Sequence, residues 1–251
     1  ENTIMQIFEP FIWGFDDLEA IFFMTLLLLL YFADIPYLGN EVPFYLCRMT
    51  RKIWLAGQVV YIVCATAIYT VAILLSTILI CGQRCYVGNI WSETAVKLAF
   101  TSAGKKLSLA ASEKTLELTR PYACMTTMFF LLFAYALVMV LLIFWFRILW
   151  NELAGMIAGV VFNGISFIFS PGILQKLLGI SERKSYLANV AAGWISPLSH
   201  ATYHLHNFGY DRLPSLRDSG IYDMVLVIML ILLNLYSIRT YHFVFDGTGE
   251  R

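Results

Sequence analysis

Four stretches of this chain carry no charged residue and are too apolar for water. Residues 53–83 run 31 residues without a charge, 121–146 run 26, 153–175 run 23, and 224–238 run 15. About 20 apolar residues cross a bilayer as a helix, because the hydrocarbon core is about 30 Å thick and a helix rises about 1.5 Å per residue. The first three runs pass that test outright. The fourth passes once its flanks reach the interface. Only 14% of the residues are charged, against about 25% in a water-soluble domain. The solvent of this chain is therefore lipid.

A fifth apolar segment, 20–33, lies between Asp16, Asp17, Glu19 and Asp34. It is short, and spans only if its carboxylates sit at headgroup level and the bilayer thins around it. The expected architecture is all-α: a polytopic helical membrane protein forming one transmembrane domain over 1–251. Its five spans lie at about 18–34, 54–80, 122–146, 154–175 and 222–241. Loops 81–121 and 176–221 lie outside the bilayer. Pro171 and Gly172 break the fourth span, since proline and glycine together stop a helix. Residues 4–15, interrupted by Pro10 and Gly14, suit a helix lying in the interface. Residues 93–118 read as a helical excursion, and 186–199 as a re-entrant or interfacial segment. The chain opens on Glu1, and we expect a further span upstream, making six. Lys and Arg density favours the side holding 34–52, 147–152 and 239–251 as cytoplasmic.

Net formal charge is zero, so nothing points to nucleic acid. Cys81 and Cys85 could pair if their loop faces an oxidising space. Gly155, Gly159 and Gly164 offer small residues for close helix approach, or a sliding face for alternating access. Asn163 sits mid-span beside them and either bonds a neighbouring helix or lines a pathway. His200, His204 and His206 form the one cluster with metal-ligand character, and on a helix His200 and His204 would share a face. No acidic or cysteine ligand accompanies them at a recognised spacing, so no metal is assigned. No span carries a charge at its centre, as ion-coupled transporters usually need. Hydrolase, metalloprotease and nucleotide-binding signatures are absent. Energy for any uphill transport must come from a partner.

The order of features resembles the membrane subunit of bacterial ABC type-2 exporters, particularly divergent permeases of gram-positive bacteria. The likeness rests on a leucine-rich span ending in YFADIPYLGNE and a basic connector running into a long span (FYLCRMTRKIWLAGQVVY). It rests further on the hairpin FRILWNELAGMIAGVVFNGISF and on the broken helix SPGIL followed by WISPLSHA. The resemblance implies a permease without its own enzymatic activity, in a bacterial cell membrane, as a homodimer or heterodimer with an ABC ATPase that holds the ATP. It implies that 34–52 is the coupling connector, with Asp34, Pro36, Tyr37, Arg48, Arg51 and Lys52 facing that ATPase. It also implies that the break at 170–173 belongs to the outer gate. Two alternatives stand beside it: an intramembrane enzyme centred on His200, His204 and Asp223, and a membrane partner protein that transports nothing.

Overall fold

The computed structural model describes residues 4–36, 48–101 and 112–241. It is helical nearly throughout. The one sheet among the described residues is a parallel pair, β1 (Met5–Gln6) and β2 (Cys85–Tyr86), with Met5 opposite Cys85.

Three helices are long and apolar enough to cross a membrane: α3 (Arg51–Cys81), α6 (Pro121–Leu149) and α11 (Leu216–Ser237). At about 1.5 Å per residue, even the 22 residues of α11 reach about 33 Å. A fourth candidate is a bent pair, α7 (Glu152–Ile168) and α8 (Pro171–Leu177), which meet at 71°. The bend sits where the sequence places it, because Pro171 opens α8 and supplies no amide to continue α7. Helix α2 (Leu18–Tyr31) has only 14 residues, or about 21 Å. Among the described residues three helices qualify, or four with the bent pair, so length and composition do not show five spans. The expected span at 18–34 overreaches α2 because the chain leaves the helix at Phe32, before Asp34.

Helix α6 is the axis of the bundle. Of its apolar window, 61% is buried, against 22% for α3 and for α11. It packs against α2, α3, α7 and α11. Its buried side includes Met128, Leu132, Tyr135, Met139 and Phe144. The outer helices instead expose large apolar side chains, among them Ile68 and Leu79 of α3, Ile157 of α7 and Leu232 of α11. Such a continuous apolar exterior suits lipid contact.

Two ends of the bundle are distinct. One, the clamp end, gathers residues 32–36, 48–52, 147–152 and 238–241. The other carries a folded cap: α1 (Glu9–Phe15), the β pair, α4 (Glu93–Phe100), α5 (Glu113–Leu118), α9 (Ser185–Ile195) and α10 (Pro197–Ala201). Several sequence boundaries need correction here. Pro10 lies in the first turn of α1, where it starts the helix rather than breaking it. Phe11, Ile12 and Trp13 of α1 are core residues, so this segment is part of the cap core. The 93–118 excursion contains two separate short helices among its described residues. Helix α11 begins at Leu216, six residues before the expected start at 222, because Ser215 and Asp218 form a capping box.

Candidate functional site

At the clamp end, Arg147 is the organising residue. It sits in the last turn of α6 and is 4% exposed. Its Nη1 donates to the carbonyls of Phe32 (3.0 Å), Ala33 (2.7 Å) and Ile35. These groups belong to the end of α2 and the chain beyond it. Helix termini leave carbonyls without partners, and a guanidinium is well suited to take them. A second arginine repeats the device. Arg51, in the first turn of α3, donates from Nη1 to the carbonyl of Arg239 (2.6 Å) and more weakly to that of Ile238 (3.5 Å). It thereby caps α11, where a positive charge also favours the negative end of the helix dipole.

The residues expected to face a partner fall at this end. Asp34, Arg48 and Lys52 are exposed, and Pro36 is half-buried. Tyr37 lies outside the described residues. Arg51 is exposed but engaged with α11, so it braces the end of the bundle. The connector is thus tied at both ends, to α6 by Arg147 and to α11 by Arg51.

The glycines behave differently from one another. A Cβ on Gly155 would lie 2.4 Å from Arg147 Cγ and 2.8 Å from the carbonyl oxygen of Ile143. Gly155 therefore makes room for the Arg147 side chain. A Cβ on Gly159 would lie 2.8 Å from Leu29 Cδ2 and 3.0 Å from Ile143 Cγ1, so Gly159 admits α2 and α6. A Cβ on Gly164 would meet nothing within 4 Å among the described residues.

Asn163 lies mid-bundle and is fully buried. Its Oδ1 accepts from the Tyr135 hydroxyl at 2.6 Å, and its Nδ2 donates to Thr25 Oγ1 at 2.9 Å. One amide thus ties α2, α6 and α7. It lines no open path in this conformation.

The histidines separate. Helix α10 spans only five residues and ends at Ala201, so His200 and His204 do not share a helical face. His204 turns to Asp16, whose Oδ1 also accepts the His204 amide at 2.9 Å; the ring nitrogen lies at 3.1 Å. Burial opposes charge on His204, but the hydrogen bond and the negative charge of Asp16 outweigh it, and its pKa is raised. His200 Nδ1 and His206 Nε2 both lie 2.8 Å from Ser219 Oγ, near the start of α11. Burial pushes His200 below the ordinary histidine range and His206 down to about 4. The outer nitrogens of the two rings meet the carbonyls of Trp194 and Tyr203. Ser219, His200 and His206 are at most 1% exposed. The trio staples the cap to α11. Asp223, expected as a third polar partner, is 2% exposed, and its Oδ2 has no hydrogen-bond partner among the described residues. No group of three or more metal-ligating side chains occurs among the described residues.

The rest of the cap is held by buried carboxylates that the sequence does not flag. Glu9 accepts the Ser92 amide (2.7 Å) and hydroxyl (2.6 Å) and the Gln6 amide (3.1 Å). Burial raises its pKa against the lowering effect of those bonds. Lys114 reaches the His206 carbonyl and Asp211, each at 2.7 Å. Cys81 and Cys85 are free thiols, the second donating to the carbonyl of the first.

Comparison with protein-family models, curated proteins and solved structures gives no match. The chain belongs to the class of helical proteins whose apolar helices fit a membrane, and its role is read from its own geometry.

Proposed function

We propose that this chain is the permease subunit of an ATP-binding-cassette exporter in a bacterial cell membrane, with no enzymatic activity of its own. In this reading α2 also crosses, by thinning the bilayer around its short length. The α7–α8 pair forms one broken span, and the bundle has five spans. The clamp end faces the cytoplasm. Two copies, identical or related, enclose the pathway, and ATP stays on a separate ATPase subunit.

The observation that carries the reading is the double tether of the connector. A force applied to Asp34, Arg48 or Lys52 from below is passed by Arg147 to α6 and by Arg51 to α11. Those helices extend to the cap. Rigid helices that move together between two packings convert a pull at one end into opening at the other.

Affinity purification of the full-length protein in mild detergent, followed by mass spectrometry, tests this. A stoichiometric ATPase is expected, and it should be lost on changing Arg48→Glu and Lys52→Glu together. Arg51 stays unchanged because it braces α11. Recovery of the chain without an ATPase after gentle cross-linking would remove the reading.

A further inference from the structure

A cavity of about 440 Å³ lies in the angle between α7 and α8, closed by α9, α10 and the chain at 205–213. Small-molecule sites occupy about 300–1,000 Å³ and are mostly apolar, with a few convergent polar groups. This cavity has that make-up. Leu18, Phe167, Phe169 and Leu213 supply apolar wall, and no charged side chain lines it. Two lining hydroxyls are already used: Ser166 Oγ accepts the Leu198 amide, and Ser196 Oγ accepts the Ser199 amide. Three lining side chains, Ser170, Asn189 and Ser199, have no side-chain hydrogen bond among the described residues. Ser199 is 5% exposed. A nearly buried hydroxyl that bonds nothing inside the protein is available to a ligand.

The surroundings narrow the occupant. The same α7–α8 elbow exposes the apolar residues Ile168, Ile173 and Leu177. Such an apolar surround suits a ligand that partitions from lipid. An ion would find no partner inside, and an unpaired charge in an apolar site is strongly disfavoured. We propose that this elbow cavity binds an uncharged single-chain amphiphile. Its chain lies against Phe167, Phe169 and Leu213, and its hydroxyls meet Ser170, Asn189 and Ser199. The site stands on the chain alone and is independent of any ATPase.

The test uses the full chain in phosphatidylcholine nanodiscs with three diazirine-bearing probes of equal chain length. One is a monoacylglycerol, one the matching fatty acid, and one the alkyltrimethylammonium. Peptide mass spectrometry reads the labelled positions after illumination. The monoacylglycerol should label peptides holding 166–171 and 189–199 at least tenfold more than either charged probe. Ala192→Leu, which adds volume at a 5% exposed lining position, should cut that labelling at least fivefold. Ser170→Ala with Ser199→Ala leaves the volume intact and should weaken competition by unlabelled monoacylglycerol about tenfold, the loss of two neutral hydrogen bonds. This second variant decides the matter if Ala192→Leu does not fold. Equal labelling by all three probes, or competition unchanged in the double serine variant, would overturn the proposal.

Discussion

Gly155→Ala and Gly164→Ala are the same substitution in one helix, and the structure gives them opposite signs. In a helix interior alanine is favoured over glycine by about 1 kcal/mol. At Gly164 no atom lies within 4 Å of the added methyl, so that gain should appear nearly whole. At Gly155 the methyl would meet Arg147 Cγ at 2.4 Å and backbone Ile143 O at 2.8 Å. The backbone cannot step aside without moving α7 from α6. Overpacking of this kind costs about 1–3 kcal/mol. Pushing Arg147 outward also endangers its bonds to the α2 carbonyls. Nη1 has two hydrogens for three acceptors, so at most two good bonds are at stake, each worth about 1.5–3 kcal/mol for a charged donor. If one of those bonds is lost, subtracting the helix preference leaves a net loss of about 1.5–5 kcal/mol for Gly155→Ala, from the terms just given. Thermal unfolding in detergent, followed by near-ultraviolet circular dichroism, reads both variants against wild type. Shifts of the same sign, or a Gly155→Ala protein as stable as wild type, would refute the reasoning about Arg147.

Other consequences are simpler to state. Ser219→Ala strips both buried imidazoles of their hydroxyl partner and should cost about 2–4 kcal/mol, measured by the same unfolding assay. Asn163→Leu leaves the buried Tyr135 hydroxyl without its acceptor and should cost about 1–3 kcal/mol. The His204–Asp16 contact gives a pH dependence with a definite sign. The folded pKa is raised above the ordinary value near 6.5, so its contribution is full below about pH 6.5 and is lost as pH rises through the folded value. Protection factors at 203–206, exchange rates corrected for the intrinsic pH dependence of amide exchange, should therefore rise on acidification from pH 8.5 to 6, and Asp16→Asn should abolish that rise.

The uncharged runs read off the long helices well, because lipid punishes charge at every position of a span. The span bounds 18–34 overreach α2, since a run of apolar residues says nothing about where the chain turns. Pro171 marked the elbow correctly, as a missing amide acts locally. Gly155 and Gly159 were found as small residues four apart, yet their purpose was hidden. What Gly155 accommodates is an arginine eight residues earlier, folded back across a tight hairpin. Asn163 was legible as an amide in lipid that must find partners. The cap was not legible. Glu9 finds Ser92 across 83 positions, and no periodic pattern announces a contact made by one carboxylate. The histidines misled for a local reason: their spacing fits a helical face, but the helix stops after Ala201.

The claim that the two arginines pass motion from the connector to the cap has a direct test. A single cysteine at Gly172, where a side chain meets nothing within 4 Å, is introduced with the native cysteines replaced by serine. Its thiol-labelling rate is measured in nanodiscs with the proposed ATPase partner bound, with and without ATP. ATP should change the rate several-fold in this background. Adding Arg147→Lys should erase the change while the ATPase stays bound, because a lysine cannot span the α2 carbonyls with a planar fork. An equal response to ATP with and without Arg147→Lys would contradict the transmission route.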